Sequence, residues 1–144
     1  MTALLYPFLG LSVLGLALSL MVHVGTWLGV ELPFEVFGLH FGVFVVWTPT
    51  AFISNFTRHG FRRRYGWREA LRGCPRWMRW MAYGLFAYAF VNFFLSIVVG
   101  GMVSGGVSPL RAFSGHWMMF YGLAFATLYS TLHLQRADHE QLHR

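Results

Sequence analysis

The chain has 144 residues, 56% of them hydrophobic and only 11% charged, where a soluble domain carries about 25% charged residues. With a mean hydropathy of +0.52, it has too little charge to solvate a globular surface. The net charge of +6 and pI near 10.3 would suit a nucleic acid, but the charge is gathered in one stretch between apolar runs, which fits lipid head groups and argues against a nucleic-acid partner.

The first apolar run, Leu4 to Val30, is long enough to cross a bilayer, and Pro7 is tolerable in its first turn. No Lys or Arg precedes it and it exceeds a signal-peptide core of roughly 7–15 residues, so it is expected to be a retained transmembrane helix. Glu31, Pro33 and Glu35 then mark a turn. The second run, Phe34 to Phe56, contains Pro49, and a kink is expected there, with Thr48 and Thr50 at hand to satisfy freed carbonyls.

The stretch from residue 55 to 79 carries eight of the eleven Arg residues, from Arg58 through Arg62, Arg63 and Arg64 to Arg79, opposed only by Glu69. Each Arg would cost about 2.5–3.5 kcal/mol at a bilayer centre, so the stretch reads as a cytoplasmic loop. Residues 66–73 could add one or two helical turns at the membrane surface, and Phe61, Tyr65, Trp67, Trp77 and Trp80 suit the head-group layer. The single cysteine, Cys74, excludes an internal disulfide and is at most a weak nucleophile.

The third run spans residues 80 to 103, and a glycine-rich turn leads to the fourth, 110 to 134, which Pro109 is placed to start. Residues 135–144 form a polar tail with His139 and His143; His59 and His133 lie near the same boundary, and all four are expected to be solvated. The expected architecture is therefore all-α: a single integral membrane domain over residues 1–144, a four-helix bundle of two transmembrane hairpins joined by the basic loop. Both termini fall on the cytoplasmic side, with ten Arg residues there and one, Arg111, on the other.

This topology makes depths comparable. His23, His40 and His116 each lie six or seven residues from the outer boundary, roughly 9–10 Å deep. Ser12, Gly15, Ser19, His23 and Thr26 share one face of the first helix, and Gly84, Tyr88, Asn92, Ser96 and Gly100 repeat every fourth residue on the third. Small and polar residues are favoured between membrane helices, so both stripes are expected to face inward. Phe37, His40 and Phe44 match Phe113, His116 and Phe120 in spacing, with glycine near each histidine, as in a worn repeat.

Imidazole ligates haem iron, zinc and copper. His40 and His116 are candidate ligands of a b-type haem, with Phe walls and Arg111 for a propionate. His23, His40 and His116, with Glu31 or Glu35, are candidate ligands of a transition metal. The competing reading makes these histidines hydrogen-bonding residues that hold helices together. No Ser-His-Asp set, phosphate loop or paired intramembrane carboxylate appears, and whether the protein is an enzyme stays open.

The layout of apolar runs around a basic loop resembles small four-helix membrane anchors and b-type cytochrome subunits. The expectation is a small polytopic subunit of a bacterial inner membrane, holding haem or a metal in its outer half. It would bind anionic lipid at the basic loop and work as a homo-oligomer or with other membrane subunits. The alternatives are a structural or assembly subunit without a cofactor, and a transporter component.

Overall fold

The computed structural model describes residues 5–59, 67–98 and 109–142. Among the described residues all regular structure is helical. Helix α1 spans Leu5–Trp27, a 3-10 turn spans Phe34–Phe37, α2 spans Gly38–His59, α3 is a single turn at Trp67–Ala70, α4 spans Arg76–Val98 and α5 spans Pro109–Leu142. Two segments are long and apolar enough to cross a membrane by length and composition, Leu5–Trp27 and Glu35–Phe52. Arg62, Arg63, Arg64, Phe61 and Tyr65, the glycine-rich turn at 100–108, and His143 lie outside the described residues.

The helix boundaries have local causes. Gly29, at φ 73, takes the left-handed conformation that only glycine adopts cheaply, and Val30 N–H reaches back to the Gly25 carbonyl at 3.0 Å. This six-to-one closure ends α1 before Glu31 and Pro33 are reached. Pro49 lies inside α2, which continues past it to His59. The Thr50 hydroxyl donates to the Val46 carbonyl at 2.6 Å, one residue beyond the carbonyl that Pro49 leaves without its usual donor. Pro75 opens α4, its carbonyl accepting from Arg79 N–H at 3.2 Å, so this helix starts earlier than hydropathy suggests, at Arg76. Pro109 is the first residue of α5, where its missing N–H costs nothing. The sequence placed a polar tail after residue 134, yet α5 runs on to Leu142.

Helix α5 is the hub. Helices α1, α2 and α4 all pack on it, α1 most extensively, and it is buried on nearly every side from Ala112 to Leu132. Helix α1 runs antiparallel to it: Leu5 packs with Leu128 and Leu132, Gly15 faces Tyr121, and His23 meets Ser114. Helix α4 is antiparallel on a second flank, with Leu85 over Gly122 and Asn92 at Ala112. Helix α2 lies on a third flank, His40 on Trp117 and Trp47 on Phe120. The turn after α3 is drawn into the same core. Leu71 and Cys74 are buried with Met78 and Ala126, Gly73 N–H donates to Ser130 Oγ at 2.9 Å, and Cys74 S–H donates to the Ala126 carbonyl. That places Cys74 in packing rather than at a reactive surface.

Burial runs opposite to that of a soluble bundle. Helix α1 buries Ser12, Gly15, Ser19 and His23 and turns Leu11, Leu14, Leu18 and Met21 outward. Helix α4 buries Ala82, Ala89, Asn92 and Ser96 and exposes Phe86, Phe90, Val91, Phe94 and Leu95. The stripe expected on α4 is therefore only half right: Gly84 has open space around it and Tyr88 is 38% exposed. A strict four-residue spacing drifts about 40° per step on a helix of 3.6 residues per turn, so Gly84 and Asn92 cannot share one narrow face.

Tyr121 joins three helices. Its ring lies where a Cβ on Gly15 would stand, and its hydroxyl donates to the Leu39 carbonyl at 2.9 Å, so the ring cannot swing aside without losing that bond. Gly15→Ala is expected to destabilise by about 1–3 kcal/mol, the cost of overpacking a filled core. Gly10→Ala, with nothing near its Cβ, should be close to neutral. Unfolding of the two variants in mixed micelles compares them directly; equal stability would show that the Tyr121 contact is not restrictive.

Candidate functional site: the polar cluster at the start of α5

Ser114, His116 and Trp117 occupy one turn of α5, and successive residues of a helix point about 100° apart. They therefore address three different neighbours. Ser114 faces α1 and holds His23, His116 has its ring against Phe93 of α4, and Trp117 faces α2 and holds His40. The three histidines of the sequence lie at one level along α5, but each is turned toward a separate partner.

His23, on α1, is buried at 5% exposure. Trp27, one turn later on the same helix, has its Nε1 3.1 Å from His23 Nε2. An indole N–H can only donate, so Nε2 accepts and the proton of the neutral ring sits on Nδ1. Nδ1 then donates to Ser114 Oγ at 2.7 Å, and Ser114 donates to the Arg111 carbonyl at 3.2 Å. The Tyr88 hydroxyl, from α4, is also hydrogen-bonded to His23 Nε2, with the two rings edge to face. One imidazole thus ties α1 to α4 and α5.

Two further bonds complete the cluster. Asn92 of α4 gives its amide to the Arg111 carbonyl at 3.0 Å and the Ala112 carbonyl at 3.5 Å. It fills the space beside Gly115, where a Cβ would come within 2.8 Å of Asn92 Nδ2. The close approach that Gly115 allows is taken by Asn92. Above this layer the Arg111 guanidinium lies 3.4 Å over the Trp27 ring, a cation–π contact.

His40 is exposed and is set among Phe44, Phe113 and Trp117. Trp117 Nε1 donates to its Nδ1 at 3.1 Å, so the neutral ring carries its proton on Nε2. A histidine that ligates through Nε2 needs the opposite arrangement, with Nδ1–H donated to a carbonyl or carboxylate. His116 has that arrangement: its Nδ1 lies 3.3 Å from the Ala112 carbonyl, leaving Nε2 as the lone-pair nitrogen of a half-buried ring. Phe113, which the sequence paired with His116, packs on Phe37 and His40 instead. The two Phe-His-Phe segments are therefore not equivalent in space.

Among the described residues no three His, Cys, Asp or Glu side chains gather into a group that could hold a metal ion. His23, His40 and His116, the proposed metal set, are held apart by their separate partners. His40 and His116, the proposed haem pair, lie on different flanks of α5. Arg111, assigned to a propionate, stacks on Trp27. Sequence reasoning missed Tyr88 and Trp27 as partners of His23, and Trp117 as the partner of His40. The spacing of Trp27 four residues after His23 was the available signal; the contact between α2 and α5 left none.

No family model matches the chain, and neither curated proteins nor solved structures show significant similarity to it.

A double-mutant cycle on His23→Phe and Ser114→Ala should return a coupling of about 0.6–1.7 kcal/mol, between the average and the maximum found for hydrogen bonds between membrane helices. Ser19, whose buried hydroxyl has no partner among the described residues, provides the contrast. Ser19→Ala removes an unsatisfied group and should be neutral or mildly stabilising. Additive effects of the His23 and Ser114 changes would show that their bond contributes nothing to stability.

Proposed function

We propose that the chain is a four-span integral membrane protein of a bacterial inner membrane, with both termini cytoplasmic, serving as a structural or assembly subunit of an oligomer or larger complex. The observation that carries this reading is the use made of its intramembrane polar groups. His23, His40 and Asn92 each make a hydrogen bond that joins one helix to another, which is what polar residues do between membrane helices.

Four spans are supported by direction and by surface. Helices α1 and α4 run antiparallel to α5, as two hairpins require, and the apolar outer faces of α1 and α4 suit lipid where they would condemn a soluble protein. Helix α5, with 34 residues, measures about 51 Å against a hydrocarbon core of about 30 Å. Its polar final turns would then stand in the cytoplasm, where Arg136 donates to the Tyr6 hydroxyl at 2.7 Å. Subunit status is supported by His40. Trp117 fixes its remaining N–H on the outer side of the ring, among exposed Phe41 and Phe44. A donor in that position favours an acceptor from another subunit, because lipid chains offer none.

A cofactor-holding role is the second reading, favoured by His116, the one histidine of the three whose ring is arranged as a ligand. A haem using His40 as well would require the Trp117 bond to be given up and the tautomer reversed. Its fit is poor as the residues stand.

The decisive measurement is a visible absorption spectrum of the detergent-purified protein together with its oligomeric mass. The structural reading expects no Soret band and a particle larger than the 16.5 kDa chain, reduced in size by His40→Phe. A Soret band lost in both His40→Ala and His116→Ala would replace it with the haem reading. Reporter fusions at Arg144 should read as cytoplasmic, and an external reading would reject the topology.

The basic segment gives a separate test. Arg68, Arg72, Arg76 and Arg79 are exposed alongside Trp67, Trp77 and Trp80, although Arg72 also pairs with Glu69 at 3.3 Å. Neutralising Arg62, Arg63 and Arg64 should weaken attraction to anionic vesicles by about 1 kcal/mol per Arg, and the loss should shrink as salt is raised. Salt-independent association of the intact protein would reject the electrostatic account.

A further inference from the structure

Arg111 is the one cation that the proposed topology places on the outer side, and among the described residues no carboxylate pairs with it. The chain has five acids. Glu69 pairs with Arg72, and Asp138 and Glu140 are 27 and 29 residues away along α5, about 40 Å. Glu31 and Glu35 are exposed on the outer turn, and among the described residues neither forms an ion pair with Arg111. Residues 99–108, which lead into α5, contain no Asp or Glu.

The side chain is nevertheless held in place. Its guanidinium carbon lies over the Trp27 ring, 3.4 Å from the centroid, and Trp27 is itself anchored through its indole N–H to His23. Stacking covers a face of the guanidinium and leaves its N–H donors at the edge, in the planar fork that matches the oxygens of a phosphate. Arg111 also sits in the first turn of α5, where the helix dipole disfavours a cation. A bound anion would offset both charges. Arg and Trp at the level of the head groups meet phosphate oxygens before any other anion.

We infer that Arg111, seated on Trp27, binds the phosphate of an anionic phospholipid in the outer leaflet. The inference rests on the four-span reading for its side of the membrane. Its chemistry, a fixed guanidinium toward a phosphate, would be shared by a free phosphate ion.

Native mass spectrometry of protein released from nanodiscs of phosphatidylcholine and phosphatidylglycerol tests this. The intact protein should retain one more phosphatidylglycerol than Arg111→Gln, and Arg111→Lys should fall between them. Trp27→Leu, which keeps the charge and removes the platform, should also lose the lipid, so the test does not depend on one variant folding. Replacing Arg62, Arg63 and Arg64 by Gln should strip lipid from the basic loop and leave this one bound. Equal retention by the intact protein and both Arg111→Gln and Trp27→Leu overturns the proposal. Thermal protection by inorganic phosphate, lost in Arg111→Gln, with no retained lipid assigns the site to a free anion and overturns the lipid assignment. Topology reporters on the same variants separate this from a failure of the four-span reading, which would move Arg111 to the other face without abolishing its lipid.

Discussion

The hydrogen bonds of His23 tie three helices of this fold together at one side chain. A ring nitrogen donates to Ser114, and the other accepts from Trp27 and Tyr88, so α1, α4 and α5 are fixed in register by one side chain. In water, burial of apolar surface would order the helices. In the proposed membrane, lipid chains are as apolar as leucine, and directional bonds with close packing take over that role. The half of the bundle at the start of α5 is then determined by where its few polar groups find partners. The supply is small: Ser114, Asn92, Tyr88, Trp117 and the carbonyls at the start of α5.

The half of the bundle toward the end of α5 is held by shape. Tyr121 lies against Gly15 and Gly42 and bonds to the Leu39 carbonyl, which brings α1 and α2 to the same point on α5. Gly73 sits close to the Ser130 carbonyl and gives its N–H to the Ser130 hydroxyl, which seats the end of the basic segment on the bundle. Glycine at these positions permits approach, and each neighbour is a residue of α5. That helix is consequently buried on nearly all sides from Ala112 to Leu132.

The sequence reported composition-level facts well. Helix existence, the role of Pro109 and the inward stripe on α1 were all legible, because each depends on local chemistry or on residue spacing within one helix; the stop at Gly29 was not, since the turn was expected from Glu31 to Glu35 and α1 ends at Trp27. The central place of α5 was not legible, since it depends on which helices pack together. The α4 stripe failed for a subtler reason. Gly84, Tyr88, Asn92 and Ser96 look periodic at four, but the helix repeats at 3.6, and Ala82 and Ala89 take the inward positions instead. The extension of α5 to Leu142 was missed because hydropathy ends at Leu134, and hydropathy measures the solvent of a helix rather than its length.

The candidate site separates pattern from chemistry most clearly. The three imidazoles meet α5 at one level, between Ser114 and Trp117, yet a shared level carries no information about azimuth or tautomer. A ligand needs its lone pair directed at the metal, and the donor on its other nitrogen decides that. Trp117 donates to His40, whereas the Ala112 carbonyl accepts from His116. Two histidines with matching sequence surroundings are thereby assigned opposite hydrogen-bonding characters: one presents a donor, the other an acceptor. Neither character can be read from a spacing of Phe and Gly, because the residue that sets it comes from a neighbouring helix in the first case and from the preceding turn of the histidine's own helix in the second. The same imidazole is glue or ligand according to that single contact.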